Sequence, residues 1–314
     1  MTLYTPTLAM PDNAETDAPT TVTATEAGRV DKELARAFPD AGRKQLATLF
    51  DDGGVKVNGK KAKKGDFISI GDTITVARLP VSGEALRPAP DAELAKTLEV
   101  LVERPDLIVI NKPAGVPSQP LKAGELGTIA NALAARWPEC ALIGDDLRDG
   151  GLVHRLDIGT SGVLVAARTE EAYRALRDAF GDGRVAKEYL AITESRPVSR
   201  EADAPLVQRG RKVSVDHTDG LAAHTAFTVE RATTNHALVR CVAATGRMHQ
   251  VRAHLAHVAS PILGDTLYGG SVFEGQDGFF LHAETLAVDL PGGRLDVKAP
   301  LPARFIAALA SVGF

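Results

Sequence analysis

From residue 98 onward the chain sets strand-like segments beside one another instead of alternating them with helices, and this ordering limits the architecture more than any other feature. "LEVLVE" is followed at once by "LIVINKP". Later "EYLAIT", "HTAFTVE", "HALVRCVAA" and "TLAVDL" follow "GVLVAAR" with few helices between them. Helical spacing is confined to the neighbourhoods of "TIANALAARW", "EEAYRALRDAF", "MHQVRAHLAHV" and "ARFIAALASV". Repeated strand–helix–strand units would build a parallel sheet, whereas strands adjacent in sequence pair antiparallel. The expected fold is α+β: a mixed, mostly antiparallel sheet with flanking helices over 98–314, and no internal repeat.

Ahead of this domain, residues 28–78 read as a small α/β module. Leu34, Ala37 and Phe38, then Leu46, Leu49 and Phe50, recur at helical spacing, and "VKVNGKK" carries Asn-Gly at a hairpin turn. Residues 1–27 are acidic and rich in Thr, Ala and Pro, the composition of a disordered tail. Residues 79–97, rich in Pro and Ala, read as a linker.

Charge divides unevenly among these parts. The 314 residues carry a net −4, but Arg29 to Lys64 holds ten basic residues against five acids, a local +5 that leaves about −9 elsewhere. Arg29, Lys32, Arg43, Lys44, Lys56, Lys60, Lys61, Lys63 and Lys64 are therefore candidates for following a phosphate backbone. A solvated lysine-rich face is the plain alternative. No apolar run approaches the roughly 18 residues of a membrane span. No Lys or Arg precedes Arg29, unlike the basic leader of a secretory signal. Two cysteines outside any CxxC pattern fit a reducing cytoplasm.

Four stretches could carry chemistry. "HRLDIGTSG" (154–162) offers Asp157 on a glycine-flanked turn after a strand, either as a turn cap or as a carboxylate presented to a ligand. "TGRMHQVRAHLAHVASPILGDTLYG" (245–269) crowds Arg247, His249, Gln250, Arg252, His254 and His257 into one segment. Its histidines lack the His-Glu-x-x-His spacing or cysteine ligands of a zinc site, so no metal is expected. "AKEYLA" (186–191) sets Tyr189 on a strand beside Lys187, where a tyrosine serves either the core or a site. "NKPAGVPSQP" (111–120) is a Pro/Gly loop leaving a strand, without the glycine spacing of a nucleotide-phosphate loop.

In this order, together with "FLHAETL" (280–286), these stretches resemble the RluA/RluD-type pseudouridine synthases, through essentially all of 98–305. The module at 28–78 is similar to the S-four-like RNA-binding domain that often precedes this catalytic domain. The resemblance implies an RNA-modifying isomerase without metal or cofactor, with Asp157 as nucleophile. Arg252 is implied as the cation that keeps that carboxylate ionised in an apolar base pocket. It implies base flipping, with Tyr189 as the stacking platform, Arg155 filling the vacated space or gripping a flanking phosphate, and Leu281 as an apolar wall. Asn111, Lys112, His154, Lys187, Arg247, His249 and Gln250 lie in the matched motifs and are expected to bind substrate. RNA is the implied partner, ribosomal rather than transfer RNA, bound by a cytoplasmic monomer with no membrane contact.

Two features depart from the family pattern: Ile158 stands where Lys or Arg is usual, and Asp145, Asp146 and Asp149 add negative charge before the motif. Other readings are a non-catalytic RNA-binding or ribosome-assembly factor, and a hydrolase of glycosidic bonds. The hydrolase needs a second carboxylate. Glu188 and Asp265 are the nearest candidates.

Overall fold

The computed structural model describes residues 19–38, 46–47, 49–50, 53–77 and 84–314. The chain forms two compact units, Met1–Leu86 and Arg87–Phe314. In the first, β1 (Thr20–Thr23), β2 (Gly28–Arg29), α1 (Val30–Ala37), β3 (Val55–Val57), β4 (Lys60–Lys61), β5 (Phe67–Ile68) and β6 (Thr73–Val76) succeed one another. One antiparallel sheet runs β1-β6-β3-β4, and β2 pairs with β5. Asn58 and Gly59 take positive φ of 49° and 77° at the β3–β4 turn, which only such residues adopt at little cost. Val30, Leu34, Val55, Ile74 and Val76 are buried and form this unit's own core.

The tail expected over 1–27 ends earlier than its composition implied. Thr20–Thr23 is a strand paired in full register with β6. The β-branched run "TTVT" suits a sheet edge, and backbone pairing there needs little apolar surface. Residues 1–18 of that tail, Arg43, Lys44 and part of the linker lie outside the described residues.

The second unit begins inside the expected linker. There α2 (Ala92–Ala95) is capped by Asp91, whose side chain accepts from the Leu94 amide at 3.0 Å. Ala95 and Leu98 are buried with Ile129 and Leu133, so residues 87–97 belong to the fold. A one-turn helix among prolines leaves no periodicity to read. Then come β7 (Glu99–Glu103), β8 (Leu107–Lys112), α3 (Ile129–Arg136), β9 (Ser161–Ala167), α4 (Glu170–Gly181) and β10 (Ala186–Thr193). The chain continues through β11 (Glu201–Asp203), β12 (Leu206–Arg209), β13 (Lys212–Val215), β14 (His224–Ala232), β15 (Ala237–Ala243) and α5 (Gln250–His257). It closes with β16 (Leu281–Leu290), β17 (Gly293–Lys298) and α6 (Ala303–Ser311).

Nine strands form one sheet in the order β11-β14-β15-β10-β16-β9-β8-β7, with β17 beside the far end of β16. Every pairing is antiparallel except β9 with β16, which meet in parallel at Ser161–His282 and Gly162–Ala283. The α+β expectation therefore holds. Alternate residues feed opposite faces. Ile108, Ile110, Leu164 and Ala191 pack toward α3 and α5, while Leu107, Val109, Val165, Leu190 and Ile192 pack toward α4 and α6. Tyr189 packs against both the α3 and the α5 clusters, at the seam between the two halves of the sheet.

Candidate active site

Asp157 stands on that seam, on a loop fixed from several directions. Its carbonyl accepts from Thr160 N at 3.0 Å, closing a tight turn. Ser118 Oγ donates to Leu156 O at 2.9 Å and accepts from Leu156 N at 3.2 Å. Beneath the turn Lys112 is fully buried, and its Nζ donates to the carbonyls of Pro113, Ile158 and Thr160 at 2.9, 3.2 and 2.9 Å. Burial pulls the Lys112 ammonium down to about 7, with the Asp157 charge opposing. Gly162 then lets β9 touch β16: at φ +117° a side-chain carbon there would sit 2.1 Å from the Ala283 carbonyl oxygen. Gly159 is similarly required, because a side chain would strike the Phe279 ring.

The carboxylate faces Arg252 on α5. Arg252 Nη1 donates to Asp157 Oδ2 at 2.9 Å, while Nε and Nη2 fork onto Asp265 at 2.7 and 2.9 Å. The guanidinium lies over the rings of Phe279 and Tyr268, at 4.2 and 4.9 Å. Burial alone would lower its pKa; the hydrogen bonds and charge of Asp265, with those of Asp157, more than offset this and raise it. Asp265 is 1% exposed, whereas Asp157 keeps 24% of its side chain open. One carboxylate thus anchors the cation and the other remains accessible.

His249, Tyr268 and Tyr189 complete the group. His249 Nδ1 lies 2.9 Å from Tyr268 Oη, and its Nε2 lies 3.8 Å from Asp157 Oδ1. Burial lowers the His249 imidazole below its ordinary value despite the nearby carboxylates. Burial first, then the Asp157 charge, raises the Tyr189 phenol, so it is neutral at physiological pH. A protonated phenol offers a ring face and a donor, not a resting base.

Other residues singled out in the sequence are committed to the scaffold. His154 Nε2 accepts from Val165 N at 3.1 Å and its ring stacks on Phe180; burial and the Lys187 charge push the imidazole down to about 3. Lys187 is buried and donates to Thr245 O at 3.1 Å. Gln250 spends its amide on His224 O, Thr225 Oγ1, Thr245 Oγ1 and Arg247 N. Asn111 donates to Glu99 at 2.8 Å, Arg247 is exposed and donates to Ala222 O, and Leu281 is buried in the α5 cluster. His154, Lys187, Gln250, Asn111 and Lys112, expected to bind substrate, each hold partners within the fold. Arg155 is exposed and makes no hydrogen bond or ion pair among the described residues.

In the first unit, Lys32, Lys56, Lys60, Lys61, Lys63 and Lys64 are exposed, and Arg29 is exposed but forked onto Asp31 at 2.9 Å. The two carboxylates considered for glycoside hydrolysis are each held by an arginine. Asp265 is locked under Arg252, and Glu188 binds Arg240 at 2.8 Å. Cys140 and Cys241 are both free and buried. The bond of Asp265 to Arg252 and the placement of Tyr268, Phe279 and Ser118 around the turn are not legible in the sequence. The signal present was a carboxylate and a tyrosine inside the glycine-rich "LGDTLYG".

A mixed sheet whose seam presents one partly open, guanidinium-held carboxylate beside aromatic rings is the kind of centre an enzyme uses for covalent chemistry. Residues 106–257 match the RNA pseudouridylate synthase family. Over 293 residues the chain is 35% identical to ribosomal large subunit pseudouridine synthase D of Xanthomonas campestris pv. campestris, covering 87% of this chain and 86% of that one. It is 37% identical over 287 residues to an RNA pseudouridine synthase of Chloroflexus aurantiacus, covering 88% and 87%. Among solved structures, human RNA pseudouridylate synthase domain containing 4 superposes with a TM-score of 0.58 at 26% identity, over 70% of this chain and 95% of that one. The chain belongs to the RNA pseudouridine synthases, of the RluA/RluD type.

Proposed function

We propose that the protein converts specific uridines of large-subunit ribosomal RNA to pseudouridine, with Asp157 as nucleophile acting on a flipped-out nucleotide. The ribosomal target is supported by the name of the Xanthomonas campestris relative. The observation that carries the mechanism is the Asp157–Arg252–Asp265 chain, in which a half-open carboxylate is held by a cation that is itself pinned from behind. The reaction breaks the bond between ribose C1′ and uracil N1 and forms one between C1′ and C5. The C5 proton leaves and N1 ends protonated, with no net redox change. An ionised carboxylate suffices for covalent catalysis of this kind, and Arg252 stabilises the charged form as burial by the base removes water. Tyr189, at the seam, supplies the face on which the extracted base stacks. The exposed lysines of the first unit, Lys32, Lys56, Lys60, Lys61, Lys63 and Lys64, follow the RNA backbone in this reading.

Tritium release from RNA labelled at uridine C5 tests the proposal. The wild type releases tritium from ribosomal RNA; Asp157→Ala releases none while binding the RNA with affinity within about threefold, since phosphate contacts dominate. Release by Asp157→Ala would remove the nucleophile assignment. Release from transfer RNA alone would remove the ribosomal one.

A further inference from the structure

We infer that His249 is held by Tyr268 as a fixed N–H donor and, with the Asp157 oxygen that Arg252 leaves free, brackets the 2′-hydroxyl of the target ribose. This rests on the reading of Asp157 given above. The backbone is the first observation. His249 takes φ 51°, ψ 19°, a left-handed conformation that costs a non-glycine residue about 1 kcal/mol, at the N-terminus of α5 and without a side-chain cap bond. From this backbone the ring lies with Nε2 3.8 Å from Asp157 Oδ1 and does not cap the helix.

The second observation is the chain of hydrogen bonds behind the ring. Tyr268 Oη accepts from Val213 N at 3.0 Å and lies 2.9 Å from His249 Nδ1. Two tautomers are open to a neutral imidazole here. If Nδ1 carried the proton, the bare Nε2 lone pair would face Asp157 Oδ1 at 3.8 Å, acceptor against acceptor. If Tyr268 donates to Nδ1, the proton sits on Nε2 and the pair is complementary. Electrostatics therefore selects the Nε2–H form, and the bond to Nδ1 keeps it.

At 3.8 Å the N–H and the carboxylate oxygen are too far apart to bond directly. One oxygen set to the side of the line joining them, about 2.8 Å from each, can bond to both if it accepts from the nitrogen and donates to the carboxylate. Uracil oxygens only accept. The ribose 2′-hydroxyl does both, and it is attached next to C1′, the carbon at which the proposed reaction breaks one bond and makes another. The same contact distinguishes RNA from DNA at the target nucleotide.

Product RNA does not turn over, so equilibrium binding of RNA carrying pseudouridine at the modified position, with either ribose or 2′-deoxyribose there, provides the test. The wild type should prefer ribose by roughly 10- to 150-fold, the loss of one hydrogen bond to a charged partner. His249→Ala should bind both forms alike, and His249→Gln, which keeps an amide donor, should recover part of the preference. Tyr268→Phe should weaken it while thermal unfolding shows the variant folded. An unchanged ribose preference in His249→Ala, or none in the wild type, would overturn the inference. Failure of the nucleophile reading appears elsewhere, as tritium release by Asp157→Ala.

Discussion

Lys112 shows how a single buried charge couples the turn bearing Asp157 to pH. Three carbonyl oxygens around one Nζ match the three donors of an ammonium, yet burial lowers its pKa from 10.5 to about 7. The folded state therefore binds this proton less readily than the unfolded chain does. Its contribution to stability is least favourable below about pH 7 and improves as pH rises toward 10.5, where the unfolded side chain also loses its proton. Lys112→Met should remove that component. Chemical denaturation of wild type and variant between pH 6 and 10 should show a difference in unfolding free energy that changes with pH; a constant difference would contradict the assignment. Arg252 makes the complementary point. Its value lies in two carboxylates held at different depths, a task that the point charge of a lysine cannot divide.

At the level of strands and helices, the decisive contact is the short parallel seam between β9 and β16. Gly162→Ala brings a carbon to 2.1 Å from a backbone oxygen and forces an alanine to φ +117°, so it should destabilise the fold by about 3 kcal/mol or more, read as a lowered melting temperature. Glycine in "TSGVLV" is visible in the sequence, but the strand it must touch is not. That contrast describes what was legible. The antiparallel order, the Asn58–Gly59 turn, the helix over 170–181 and the strand bearing Tyr189 follow from local spacing. The strand at Thr20–Thr23 and the one-turn helix at Ala92–Ala95 do not, because each is packed or paired with partners remote in sequence. The residue types around Asp157, Arg252 and Tyr189 leave a structural and a functional reading open, and the family resemblance chooses between them. Phe279 is not singled out by the sequence and Asp265 reads only as a spare carboxylate, since they fix and cover a guanidinium whose position only the folded chain defines.

The whole molecule consists of two units, each with its own apolar core. A chain beginning at Arg87 should therefore fold and still release tritium from labelled RNA. It should bind RNA more weakly, with a salt dependence whose slope is shallower by roughly 0.7 to 0.9 for each phosphate contact the lysines provided. An unchanged slope would leave those lysines without a part in binding. The seam has a further consequence, in time. Asp157 and Arg252 are 95 residues apart in the chain, and Ser161 meets His282 across 121. Synthesis proceeds at roughly 5–20 residues per second, so on the order of ten seconds separate the emergence of the carboxylate from that of its guanidinium. Chain closure over such spans is slow to nucleate. The centre is thus assembled only once the segment reaching His282 has followed Asp157, and a chain made only as far as Asp157, although the lysine-rich unit before it is already exposed, has no means to act on the RNA around it.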